Sequence, residues 1–266
     1  MKLITMTLLY FLLAVTGFAR TVPSIRSTQS TVPGNLHIRE IADSIWAGSI
    51  VTAASELSFY SVTGTLIAPD PKLPVGGNSS ETWYGSAWVG IDWVGDGEGG
   101  LFQAGIEWVL SPTVNNGDSP TKLTFEAWYE WLPEPFYSMG NIAISPGDVI
   151  TIQCQAATAS NGTCWIGNQS TGAVVSKNFQ SPSIGNDLKG HNAEWIVEKL
   201  SYNGEYHFAN FGTVEWFDCA AGTRTVPGNA APPFLYPGDG EQVETLGSGG
   251  VTVSTFGENM VVIYND

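Results

Sequence analysis

From Trp46 to its end the chain alternates apolar and polar residues in short runs, separated by turns rich in Gly, Pro and Asn. A period of two belongs to β-strands, whose successive side chains point to opposite faces. The pattern predicts strands at 58–68, 83–93, 101–110, 123–132, 149–157, 163–168, 173–179, 192–198, 206–216, 251–255 and 260–265. It predicts turns at 69–71, 115–118, 145–148 and 203–204, and a long Pro-, Gly- and Ala-rich loop at 222–240. No internal repeat or heptad pattern interrupts this rhythm. Many short strands over roughly 220 residues predict one all-β sandwich.

Four of these strands carry unusual faces. Trp88, Gly90 and Asp92 share a face, opposite Val89 and Ile91. Gln103, Gly105 and Glu107 share one, opposite Ala104, Ile106 and Trp108. Glu126, Trp128 and Glu130 oppose Phe125, Ala127, Tyr129 and Trp131, and Asn192, Glu194, Ile196 and Glu198 oppose Ala193, Trp195 and Val197. An ordinary solvent face carries Lys, Thr and Ser. Carboxylates with tryptophans and glycines instead suit a groove for an extended polymer, with apolar subsites, close backbone approach and acids for chemistry. On alternation alone, the four polar faces could equally lie in unrelated places. If they meet, Asp92, Glu107, Glu126, Glu130 and Glu194 cannot all ionise together, and some keep their protons.

Composition supports that reading. Charged residues make up 13% of the 266, about half the share of an average soluble domain. Asp and Glu number 25 against 10 Lys and Arg, a net charge of −15. Such a surface repels nucleic acid and anionic membranes, so neither is an expected partner. In acid the mutual repulsion fades, which suits work at low pH as well as it suits an ordinary acidic secreted protein.

The first residues read as an address. Lys2 precedes an uncharged apolar stretch ending at Ala19, and Gly17 and Ala19 are the small residues of a cleavage site. A signal peptide is expected at 1–19 and a secreted, extracellular product. Residues 20–45 hold Arg20, Arg26 and Arg39, many Ser and Thr, and no aromatic, as expected of a pro-segment or a disordered leader. The single β-sandwich domain is then expected at 46–266. Sequons predict glycosylation at Asn78, Asn161 and Asn168. Cys154 and Cys164 flank a turn-like stretch at 159–162, so a hairpin would pair them, leaving Cys219 over. No Cys or His pair has the spacing of metal ligands, so neither metal nor cofactor is expected.

Other chemistries lack their motifs. Three histidines occur, with no Gly-x-Ser-x-Gly elbow, no His-Glu-x-x-His and no Asp-Thr-Gly or Asp-Ser-Gly. The Gly-rich stretch at 95–100 precedes no helical pattern, which argues against a phosphate loop.

The segments 86–92, 102–105, 127–131 and 192–198, with 62–65 and 144–148, resemble in order and spacing the glutamic peptidases, or eqolisins. The resemblance spans about 46–216. It implies a concanavalin-like β-sandwich (jelly roll) of two seven-stranded antiparallel sheets with a concave substrate groove. It implies a secreted acid endopeptidase, made with a pro-segment, insensitive to pepstatin and acting as a monomer on protein or peptide substrates. The family dyad falls on Gln103 and Glu194. Its groove residues fall on Trp88, Asp92, Trp128 and Glu130, with Gly105 and Glu107 on the same faces. Trp93 stands where Gly is usual, and Glu107 where Asp is usual. Ionised Glu194 would take a proton from the attacking water, and the neutral Gln103 amide would donate to the oxyanion. Two other readings are a glycoside hydrolase, with a carboxylate pair such as Glu107 and Glu194, and a non-catalytic lectin-like module. The amide at position 103 counts against the first, and an intact dyad against the second.

Overall fold

Residues 45–54, 57–92, 100–113, 121–200, 205, 207–225, 234–244 and 250–265 are described by the computed structural model. They form two stacked antiparallel sheets. The front sheet is built from β1 (Trp46–Thr52), β3 (Trp83–Ile91), β4 (Phe102–Pro112), β5 (Thr121–Trp131), β6 (Tyr137–Ser138), β10 (Asn192–Glu198) and β13 (Glu241–Glu244), in the order β13-β1-β10-β3-β4-β5-β6. The back sheet holds β2 (Leu57–Ile67), β7 (Val149–Thr158), β8 (Asn161–Asn168), β9 (Ala173–Gln180), β11 (Thr213–Thr225), β14 (Val251–Phe256) and β15 (Asn259–Tyr264), in the order β14-β15-β11-β2-β7-β8-β9. A short β12 (Phe234–Leu235) pairs with β11. Apart from two short 3-10 turns, the described residues contain no helix.

The core lies between the sheets and follows the alternation. Val89, Ile91, Ala104, Ile106 and Trp108 from the front meet Val62, Leu66, Ile150, Ile152 and Ile166 from the back. Trp195 donates its indole N–H to Thr63 O at 2.8 Å. Gly64 admits this contact, because a Cβ there would lie 2.9–3.0 Å from the rings of Trp216 and Trp195. Cys154 and Cys164 sit directly opposite each other on β7 and β8 and are bonded, both fully buried. Cys219 is a buried free thiol.

The structure departs from the sequence reading in several strands. β1 is absent from the expected set because Ala47–Val51 are buried on both faces, leaving no polar alternation to detect. The expected strand at 206–216 lies later, at Thr213–Thr225. A register shift at Phe217/Ala220, with Asp218 at φ 51, breaks the period and hides the continuation. β11 and β12 therefore take up parts of the expected long loop at 222–240. The two-residue β6 and the four-residue β13 are too short to display a period. Residues 1–44, the turns at 115–118 and 203–204, Trp93 and the Gly-rich stretch to Gly99 lie outside the described residues.

Candidate active site

Strand register lines up the four unusual faces. Glu194, Gly90, Gln103 and Glu130 stand opposite one another on β10, β3, β4 and β5. Two residues along, Ile196, Trp88, Gly105 and Trp128 form a second row. Glu198, Ser86, Glu107 and Glu126 form a third, with Trp46 of β1 opposite Glu198. All three rows have the parity that points away from the main core.

This face is polar and nevertheless buried. Glu194 is fully buried, and Gln103, Glu107 and Trp128 are at most 5% exposed. A separate apolar cluster of Ile50, Trp88, Leu101, Trp128 and Ile196 lines it, with Trp46 and Leu132 packed against it. Among the carboxylates on these rows, Glu126 alone is exposed.

Two glycines shape the first row and its neighbour. A Cβ at Gly90 would lie 3.0 Å from Trp88 Cζ3 and 3.1 Å from Glu194 Oε2. Glycine thus keeps open the gap between Glu194 and Gln103, whose backbones stand two strand spacings apart, about 10 Å. A Cβ at Gly105 would lie 2.6 Å from Trp88 Cβ and 2.9 Å from Trp128 Cζ2, so glycine lets both indoles close in.

The hydrogen bonds divide the side chains into held and free. Gln103 Nε2 donates to Glu130 Oε2, which fixes the amide's orientation and leaves one N–H on that nitrogen. Trp128 Nε1 donates to Ser86 Oγ at 3.1 Å, and Ser86 Oγ donates to Ile106 O at 3.0 Å. Gln103 Oε1 and both oxygens of Glu194 find no hydrogen-bond partner among the described residues. Buried oxygens left unpaired cost about 1–3 kcal/mol each, a cost expected where a substrate or reacting water is to be received.

Burial also shifts the acids. It raises Glu194 well above the ordinary carboxyl range, and the Asp92 charge adds to the effect. Glu130 is pushed up to about 7 by burial, partly offset by the hydrogen bond from Gln103. Glu198 is also pushed up to about 7 by burial; the two indole N–H donors of Trp46 and Trp88 oppose this, and the Glu130 charge adds to it.

Asp92 lies just past β3 with φ 74. Its carboxylate accepts the backbone N–H groups of Lys189, Gly190 and His191 at 2.6, 2.9 and 2.6 Å. It anchors the turn that leads into β10, with both carboxylate oxygens accepting backbone N–H groups. Asn168 also differs from expectation. It is 1% exposed, and its Nδ2 donates to Ala143 O and Asp148 Oδ2 at 2.9 and 2.7 Å, so the folded chain leaves no room for a glycan there. Asn78 is exposed and Asn161 partly so. Among the described residues no group of three His, Cys, Asp or Glu could hold a metal ion.

Residues 44–234 match the peptidase A4 family. The chain belongs to this family. The match runs further than the motifs at 46–216 and takes in β11. Aspergillopepsin-2 of Aspergillus niger is 31% identical over 230 residues, covering 79% of this chain and 77% of the relative. Scytalidopepsin B of Scytalidium lignicola is 35% identical over 187 residues, covering 67% of this chain and 63% of the relative. A solved structure, scytalido-glutamic peptidase with a transition state analog inhibitor, matches with a TM-score of 0.60 at 28% identity, over 84% of this chain and 98% of that one. As an A4 peptidase, an eqolisin, the chain is a glutamic endopeptidase, and the sandwich described above is the fold of that structure.

Sequence reasoning left Glu198 and Trp46 without a role. Glu198 had a signal, since alternation places it on the face of Glu194. Trp46 had none, because only the pairing of β1 with β10 brings it to this face.

Proposed function

We propose that the chain is a secreted acid endopeptidase in which Glu194 is the general base and acid and Gln103 stabilises the oxyanion. What supports this is the dyad row itself: the unpaired oxygens of Gln103 and Glu194 stand on either side of the gap that Gly90 leaves open. Ionised Glu194 takes a proton from water as the water oxygen adds to the scissile carbonyl carbon. The carbonyl oxygen becomes an oxyanion and accepts the free N–H of Gln103 Nε2. Glu194 then gives its proton to the amide nitrogen, the C–N bond breaks, and an acid and an amine leave. A carboxyl raised by burial suits both steps, being a stronger base when ionised and still able to hold a proton. Glu130 holds Gln103 in place, while Trp88, Trp128 and Gly105 form the floor along which a peptide lies, with Glu107 bordering it.

The acids of the first and third rows favour operation below neutral pH. Below about 7 Glu130 and Glu198 keep their protons, so they do not oppose the ionisation that Glu194 needs to act as base. Above it, charge accumulates and activity falls. Export would follow from the leader at 1–19, with 20–45 removed on maturation and Asn78 and Asn161 open to glycans.

The test is cleavage of denatured casein or haemoglobin from pH 2 to 7 in the presence of pepstatin. Cleavage strongest in acid, resistant to pepstatin and lost in Glu194→Gln and Gln103→Ala, is expected. Full activity in a folded Gln103→Ala protein would remove the dyad assignment.

A further inference from the structure

Two indole N–H groups converge on one carboxyl of the third row. Trp88 Nε1 donates to Glu198 Oε2 at 2.7 Å, and Trp46 Nε1 donates to Glu198 Oε1 at 3.1 Å. The rings of Trp46 and Trp88 meet edge to face, with centroids 5.0 Å apart and planes at 78°. The three residues come from β1, β10 and β3, so this clasp ties three adjacent strands together. At its far end Trp88, fully buried, places Cζ3 on the same gap over Gly90 that Glu194 Oε2 borders. Any tilt of the Trp88 indole therefore changes the space in which Glu194 must meet water and carbonyl.

We propose that Trp46 and Glu198 are positioning residues that hold Trp88 against the dyad, making the first strand of the fold a working part of the catalytic face. Trp46 is the first residue of β1, and Ile45 O accepts the backbone N–H of Lys199 at 2.8 Å. Maturation that removed Trp46 would cost turnover, so the active chain begins at or before Trp46. The inference rests on the dyad assignment above. Neither residue touches the reacting atoms; both act through Trp88.

The experiment compares Trp46→Phe, Glu198→Gln and the double variant in the processed enzyme, with Glu194→Gln alongside. The phenyl ring keeps much of the edge-to-face contact and loses only the N–H. Glu198→Gln keeps the side-chain shape, but its new amide nitrogen opposes one of the two indole N–H groups. Removing the Trp46 donor in the double variant relieves that opposition. Each single variant is expected to lower kcat about tenfold with KM within about twofold, as small misplacements at a reacting centre do. The double variant is expected to be no slower than Glu198→Gln, because the remaining amide oxygen can then serve Trp88 without conflict. Unchanged kcat with only a lower Tm, or losses that multiply in the double variant, would overturn the proposal. If Glu198→Gln fails to fold, kcat of Trp46→Phe decides alone. Turnover lost in Glu194→Gln but untouched in the clasp variants would sink the clasp and leave the dyad standing; turnover retained in Glu194→Gln would sink the dyad itself.

Discussion

The two sheets bury the same kind of core and differ in their outer faces. In the back sheet burial alternates along β7 and β8, and Thr151, Gln153, Thr163 and Trp165 lie on the partly open side. In the front sheet β3, β4 and β10 are buried almost throughout, although their chemistry alternates just as strictly. A polar face open to water costs little. A buried face of carboxylates and an amide is expensive unless each group is paired, and Gln103 and Glu194 retain unpaired oxygens. Where period-two chemistry persists without period-two exposure, the sheet is holding a site.

The sharpest break in that comparison is a pair of matched glutamines. Gln103→Ala on the front face removes the proposed oxyanion donor, a change typically worth about 2.7–4 kcal/mol, or roughly 10²–10³ in kcat. Gln153→Ala on the back face is expected to change neither kcat nor, by more than about 0.5 kcal/mol, stability. Steady-state kinetics and thermal melts on both variants check this.

The converse substitution lies in the back sheet. Replacing Cys154 and Cys164 together by Ala opens a loop with a sequence separation of 10, and is expected to cost about 2–3 kcal/mol, or roughly 5–10 °C in Tm. Activity at about 25 °C should hold, since neither residue reaches the dyad row.

Charge on the front face changes stability with pH, and its sign is set by burial. Glu130 and Glu198 are raised from 4.5 to about 7, so the folded chain binds their protons more tightly than the unfolded one. The stability they contribute is complete below 4.5 and is lost as pH rises toward 7. Calorimetry should show Tm falling further across that window in the wild type than in a Glu130→Gln/Glu198→Gln variant. The smallest expected signal is at the sequons. Mass spectrometry of the folded, secreted chain should find glycan at Asn78 or Asn161 and none at Asn168.

Much of the fold was legible because alternation is local. Strands such as β10, expected and found at 192–198, carry their own signature in seven residues. β1 does not, because a strand buried on both faces has no period to display. The bulge near Asp218 erased the period of β11 partway along. In the site, alternation and motif order marked Gln103, Glu194, Trp88, Trp128 and Glu130 as candidates, and register then placed them in adjoining rows. Asp92 was marked too, yet its three backbone partners lie 97–99 residues away and belong to a turn with no signal of its own.

The amino-acid order alone thus determined which residues share a face within each strand, and so the kind of chemistry each face could carry. That follows from the geometry of an extended backbone and needs no partner. The tertiary structure decided which faces adjoin, that Glu198 joins Trp46 to Trp88, that Asp92 supports a turn, and that Asn168 is sealed inside. Those facts depend on pairings between distant segments, such as the 152 residues between Trp46 and Glu198. Such pairings are chosen by the burial of the whole core, and no single strand records them.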